Sequence, residues 1–416
     1  MPTMPTHSAR DDRGSAGRTR RDVLSVENII ASFKTVASRP LAYARAWKER
    51  TGGQVIGSFP MNFPGELAHA AGVLPMIIQE SDEQITVGHG LLYPFYCGYT
   101  RSTVDQAAKG DLAVLDAIMF GDHCVQLLGA ADAVRMALPD TRVIYFQLIS
   151  SMCDPWTFGR ARETFLGLKD EMEEFLGRSV SDEALRASIE VFNRNRQLIR
   201  RLYEMRMTGE APLTATQMQH IVKSSMVMDK VEHSALLDQL FEALEAQPLT
   251  KPRGIRLHLS GHFCQAPKPE ILDLIEECGA VIVGDDLYHG FRYISTDVDA
   301  DGDPLDALAK WYLARNTGVP CPTRVQNDVD WDAFLLEAMR KEKADGMIVL
   351  MAKYCEPHMY YYPEVKEAFE KADMPHLLIE TEHESMALES LRTRVETFLE
   401  IIKRRQDARP LELQAS

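Results

Sequence analysis

The period of hydrophobic and polar positions changes several times along the chain, and those changes divide it. From residue 54, short apolar runs of strand length at 54–58, 73–79, 114–120 and 142–148 alternate with amphipathic stretches at 64–71, 100–109 and 124–137. Strands separated by helices predict parallel βαβ units. Residues 156–247 instead carry long helical patterns such as Phe165, Leu166, Leu168, Met172, Phe175 and Leu176. After Lys251-Pro252 the alternation returns, with strands expected at 254–259, 280–283, 347–351 and 376–380, and helices at 268–277, 304–315, 331–342, 363–371 and 386–404. Ahead of it all, Val26, Ile29, Ile30 and Phe33 have helical spacing that Pro40 interrupts.

These patterns predict a disordered tail at 1–22, a helical lead-in at 23–50, a first α/β domain at 51–155, a helical segment at 156–250, a second α/β domain at 251–405 and a flexible tail at 406–416. The N-terminal tail combines Pro, Gly, Ser and clustered Arg without apolar periodicity. The two α/β halves repeat one order of events. Ser58-Phe59-Pro60, Pro64-Gly65-Glu66 and Gly72-Val73-Leu74 correspond to Ser260-Gly261-His262, Pro267-Lys268-Pro269-Glu270 and Gly279-Ala280-Val281, with an insertion at 285–330 in the second copy. The expected fold is two similar flavodoxin-like parallel-sheet domains facing each other across a cleft, with the helical segment between them.

Composition narrows the function. With 416 residues, 45% hydrophobic and 26% charged, the chain is long enough for more than one packed domain. A net charge of -15 argues against a nucleic-acid surface. The sequence contains no apolar run of membrane-spanning length, and its arginine-bearing start lacks the apolar core of a secretion signal. Seven cysteines without framework spacing or any C-x-x-C pair point to a reducing cytoplasm, so a metal site has to be assembled from distant segments.

Candidate chemistry begins at two strand ends. The runs 117–120 and 347–351 each lead into a cysteine, Cys124 and Cys355, ahead of a new helix. Ligands sit at the carboxyl ends of parallel strands, so both thiols are placed as ligands. Cys97 lies in an aromatic loop that opens a helix, where the helix N-terminus favours a thiolate. Cys278 and Cys321 read as packing residues, and Cys153 and Cys264 occupy loops of no decisive pattern. Three thiolates suit an iron–sulfur cluster better than a catalytic zinc, with three-cysteine zinc as the alternative. A [4Fe–4S] cluster on Cys97, Cys124 and Cys355 leaves one iron for another ligand. Glu66 and His123 are the candidate proton donors. Against them, an acidic group in a first helical turn already suits the dipole, and a histidine beside a ligand can simply hydrogen-bond. Tyr93, Phe95, Tyr96 and Tyr99 are candidates for an apolar acyl pocket, and Arg101 and Arg292 for phosphate or carboxylate contacts.

Several of these words carry a family resemblance: Pro64-Gly65-Glu66-Leu67, Ala70-Ala71-Gly72-Val73-Leu74-Pro75, Tyr96-Cys97-Gly98-Tyr99-Thr100-Arg101 and Lys353-Tyr354-Cys355-Glu356-Pro357. From about residue 50 to 403 the chain resembles subunits of 2-hydroxyacyl-CoA dehydratases and ATP-dependent benzoyl-CoA reductases. Leu259-Ser260-Gly261-His262-Phe263-Cys264 and the run from Val283 to Arg292 look most like the reductase branch, and the length is similar to its larger, B-type subunit. Val125 departs from the Cys-Asp that the family often has at Cys124. The resemblance implies an iron–sulfur subunit that binds acyl-CoA and passes electrons to the aromatic ring, giving a cyclic dienoyl-CoA. It also implies a homologous cluster-bearing partner, ATPase-type subunits that hydrolyse the ATP, and reduced ferredoxin as donor. The alternatives are a 2-hydroxyacyl-CoA dehydratase subunit and a non-catalytic electron relay. The chain has no G-x-x-x-x-G-K-[ST] loop, in keeping with ATP hydrolysis elsewhere.

Overall fold

The structure is a computed structural model that describes residues 25–249, 253–384 and 386–408. The tail expected at 1–22, the Lys251-Pro252 boundary and the chain from 409 lie outside the described residues. Helices α1 (Val26–Ser38) and α2 (Pro40–Thr51) lead in. Ser25 caps α1 by accepting from the Asn28 N–H, and Val26, Ile29, Ile30, Phe33 and Ala37 form its buried stripe. The first sheet region follows as β1 (Val55–Ser58), α3 (Gly65–Ala70), β2 (Leu74–Ile77), α4 (Gly98–Ala108), β3 (Ala117–Gly121), α5 (Val125–Ala137) and β4 (Arg142–Phe146). Helices α6 (Thr157–Leu176), α7 (Asp182–Thr208), α8 (Ala215–Ser225) and α9 (Lys230–Glu245) come next. The second region runs β5 (Ile255–Gly261), α10 (Pro269–Glu277), β6 (Ala280–Asp285), α11 (Phe291–Ile294), α12 (Pro304–Gly318), α13 (Trp331–Glu342), β7 (Gly346–Ala352), α14 (Glu356–Lys371), β8 (His376–Thr381) and α15 (Leu388–Asp407).

The strands form two four-stranded parallel sheets, ordered β2-β1-β3-β4 and β6-β5-β7-β8. One order in both sheets is what an internal repeat requires. A flavodoxin-like sheet continues this order with a fifth strand, whereas each sheet here has four among the described residues. Every residue of β3 and of β7 is buried, because helices cover both faces of a parallel sheet. In each sheet the order reverses between its first strand and its third, β1/β3 and β5/β7, and loops part there at the carboxyl edge.

The helical stretch is not a freestanding layer. Ile199, Leu202, Ile221, Val222, Leu237 and Leu240 of α7, α8 and α9 share one core with β1, β3 and α1. The insertion expected at 285–330 holds α11 and α12; Leu305, Leu308, Trp311 and Tyr312 of α12 pack with Phe165 and Leu168 of α6. One helix starts earlier than its sequence suggests. Pro363 reads as a first-turn proline, yet α14 begins at Glu356, with Pro357 in the first turn and Pro363 inside. An interior proline removes one backbone bond and costs about 3 kcal/mol, which the packing of Val365 and Phe369 offsets.

Candidate functional site

Three cysteines stand at equivalent places on three helices: Cys97 is the N-cap residue of α4, Cys124 of α5 and Cys355 of α14. Strands β3 and β7 deliver the last two from topologically matching positions in the two sheets. All three line a single cavity of about 400 Å³ together with Cys264, Cys321 and His123, and with Tyr99, Phe263, Tyr360 and Tyr361 among its walls. That volume is in the range of small-molecule and cofactor sites. The cavity therefore collects five of the seven cysteines, while Cys153 is exposed on the surface and Cys278 lies beside Arg392.

One side chain ties the cysteine loops together. Gln126, in the first turn of α5, accepts from the Cys97 N–H through Oε1 at 2.8 Å and donates from Nε2 to the Tyr354 carbonyl at 2.8 Å. Tyr354 immediately precedes Cys355 and holds a φ of +65°, a left-handed conformation that a non-glycine residue rarely adopts. Gln126 thus joins the N-cap of α4 to the turn before α14, across the two sheets. The Cys97 sulfur lies 3.2 Å from Thr100 Oγ1, and the Cys264 sulfur 3.5 Å from His123 Nε2. His123 is buried and its Nδ1 has no hydrogen-bond partner.

Burial pushes the thiols up. The Cys124 thiol is raised to about 12, first by loss of solvent and then by the neighbouring Cys97. Cys97, Cys264 and Cys355 are raised for the same leading reason, Cys264 well above the usual thiol range. Burial also holds His123 down at about 3, with Arg324 and Arg315 adding to the effect. Reactive nucleophilic cysteines sit in electropositive surroundings that lower their pKa, the opposite of this site. The arrangement fits soft ligands that lose their protons only when a metal takes them. Among the described residues, no group of three or more His, Cys, Asp or Glu side chains is placed to hold a metal ion.

The other expected residues divide. His123 is at the cavity. Glu66 is not: it is buried beside a separate cavity of about 30 Å³, ion-paired with Arg196 at 2.7 Å and near Lys230, whose ammonium burial lowers to about 7. Arg292 is consumed by structure, donating to Asp286 Oδ2 at 2.9 Å and to the Val319 and Pro320 carbonyls at 2.9 and 2.6 Å. Arg101 donates to the Tyr96 carbonyl and pairs with Glu384 at 3.2 Å, linking α4 to the stretch after β8. Of the aromatic loop, Tyr99 lines the cavity, while Tyr93 and Phe95 are exposed and stack with ring centroids 5.3 Å apart. Gln126 was not singled out from sequence, while Cys321, read there as a packing residue, and Cys264, read as a loop position of no decisive pattern, both line the cavity. For Cys264 a signal existed, because Gly121-x-x-Cys124 after β3 is matched by Gly261-x-x-Cys264 after β5.

Fold and site define an α/β protein in which two parallel sheets present a group of thiols to one cavity. The chain belongs to the family described as "2-hydroxyglutaryl-CoA dehydratase, D-component", whose profile matches residues 60–402. It is 27% identical over 386 residues to the (R)-phenyllactyl-CoA dehydratase beta subunit of Clostridium sporogenes, covering 90% of this chain and 99% of that protein. It is 26% identical over 384 residues to the C-type subunit of benzoyl-CoA reductase from Thauera aromatica, covering 91% and 99%. The beta subunit of lactoyl-CoA dehydratase from Anaerotignum propionicum is 28% identical over 386 residues, covering 91% and 99%. The reductase relative is thus of C type, where the chain length had suggested a B-type subunit.

Proposed function

We propose that this chain is the cluster-bearing subunit of an ATP-dependent benzoyl-CoA reductase, part of an assembly that puts low-potential electrons on the aromatic ring to give a cyclic dienoyl-CoA. The observation that carries this reading is the convergence of Cys97, Cys124 and Cys355, from three helix N-caps on two sheets, on one cavity. Those three would hold a [4Fe–4S] cluster, which supplies one-electron transfer at low potential when bound. Each N-cap sets its thiol at the positive end of a helix dipole, which offsets part of the cost that burial places on a thiolate ligand. Tyr99 and Phe263 form buried parts of the cavity wall, and solvent exposure is one of the levers on such a potential. Gln126 keeps the loops from the two sheets in register, so the reading requires the two halves to face each other across a cleft. Of the two proton-donor candidates, His123 lines this cavity and Glu66 lines the separate one. ATP would be hydrolysed by ATPase-type partners, with reduced ferredoxin as donor, and a homologous cluster-bearing partner would complete the complex.

A second reading, a 2-hydroxyacyl-CoA dehydratase subunit, is favoured by the family description and by the two dehydratase relatives, phenyllactyl-CoA dehydratase and lactoyl-CoA dehydratase. The deciding experiment is anaerobic purification with the partner subunits, followed by iron and sulfide analysis and by assay with ATP and a strong reductant. Benzoyl-CoA should be converted to a dienoyl-CoA; turnover of a 2-hydroxyacyl-CoA alone would select the dehydratase. Replacing Cys355 by Ala should remove the bound iron, and an unchanged spectrum would assign that thiol to packing.

A further inference from the structure

A cluster on Cys97, Cys124 and Cys355 uses three of the five cysteines at the cavity. Of the remaining two, Cys321 is engaged in its own loop, with Sγ 3.1 Å from Thr323 Oγ1 and its N–H donating to Asn316 Oδ1 at 2.9 Å. Cys264 has no such anchor; among the described residues its sulfur's hydrogen-bonding contact is His123 Nε2 at 3.5 Å. Its placement is nevertheless built into the fold. Gly261 closes β5 at a φ of +106°, and a Cβ there would lie 2.2 Å from the Leu350 carbonyl oxygen of β7. Only glycine lets the chain turn at this close approach of the two strands. His262 follows at a φ of +43°, held by a 2.6 Å contact from Nε2 to Thr381 Oγ1. Phe263 is then wedged against Trp331 and His358, with ring centroids 5.4 and 5.1 Å away. A turn fixed at three successive residues presents the next one, Cys264, to the cavity that Cys97, Cys124 and Cys355 share.

We propose that Cys264 is a fourth protein ligand of the cluster held by Cys97, Cys124 and Cys355, so that no iron of that cluster is left open to substrate. The inference rests on the cluster reading and sharpens it. Four thiolates complete the protein ligation of a [4Fe–4S] centre, and each ligation forms an iron–sulfur bond and releases one thiol proton to solvent.

The test uses the full-length chain, loaded anaerobically with ferrous iron and sulfide, as wild type and as Cys264→Ser, Cys264→Ala and Cys321→Ala. Iron content, thermal melting and the electron paramagnetic resonance spectrum after ferricyanide oxidation are recorded. An iron without a thiolate is lost on oxidation and leaves a [3Fe–4S] signal. The wild type and Cys321→Ala should keep their iron and show no such signal, whereas both Cys264 variants should develop it while melting like the wild type. A [3Fe–4S] signal in the wild type overturns the inference, even if the Cys264 variants do not fold. Iron-loaded Cys264 variants identical to the wild type overturn it alone, leaving the three-cysteine reading in place. A folded wild type that takes up no iron overturns both.

Discussion

Gln126 does at the scale of one residue what neither sheet does: it fixes the distance between backbone segments that belong to different halves. Leucine at this position has similar bulk but no polar atoms, so the Cys97 N–H and the Tyr354 carbonyl lose their partner together. Each partly buried group left unsatisfied costs about 1–3 kcal/mol. Gln126→Leu should lower stability by that order in a denaturant titration. It should also speed amide exchange around Cys97 and Cys355 while β3 and β7 stay protected; unchanged exchange at both loops would show that Gln126 does not hold them. Glu66 illustrates the opposite case. Its motif position suggested chemistry, yet its carboxylate is paired with Arg196 and faces a different cavity.

Among elements, the link between β6 and α13 carries a concentrated load. Asp286 accepts from Arg292, from Trp331 Nε1 at 2.8 Å and from the Gly261 N–H at 3.1 Å, all buried. Removing one partner of a buried pair leaves an unpaired charge and costs about 3–5 kcal/mol. Asp286→Ala should therefore lose stability in that range and loosen the turn that presents Cys264; a loss below about 1 kcal/mol would contradict the assignment. Nearby, β5 and α13 are joined by His258 Nδ1 and Glu342 Oε2 at 2.7 Å. Burial disfavours the imidazolium, but the Glu342 carboxylate outweighs it and raises His258 to about 9. An unfolded histidine titrates near 6.5, so the folded state binds the proton more tightly. The contribution, roughly 3 kcal/mol, is then full below about pH 6.5 and lost as pH rises through 9. Unfolding free energies from pH 6 to 9.5 should fall for the wild type, and the fall should flatten in His258→Gln.

For the whole molecule, the division of labour is itself testable. The chain lacks a phosphate-binding loop of the G-x-x-x-x-G-K-[ST] type, so the purified subunit should not hydrolyse ATP, and under the proposed function hydrolysis should appear only once ATPase-type subunits are added. Steady-state phosphate release by the isolated chain would overturn that division. Among the described residues no helix is long and apolar enough to cross a membrane.

The sequence by itself determined the grammar of the fold. The strands end where their apolar runs end, and the runs before Cys124 and Cys355 are long enough to be buried on both sides. The same local logic put Cys97 and Cys124 at helix starts, since a loop that stops and a helix that begins are written in neighbouring residues, whereas the helix after Cys355 was expected only from Pro363 and in fact begins at Glu356. Only the tertiary structure decided which of these starts meet. Gln126 and Tyr354 are 228 positions apart and Cys264 and His123 are 141 apart, so no local pattern registers either contact. Glu66 and His123 are separated for the same reason: α7 crosses over α3 and brings Arg196 to the carboxylate, a pairing across 130 residues. Local propensity follows from a residue's neighbours in the chain, whereas a site shared by two sheets follows from how their helices pack.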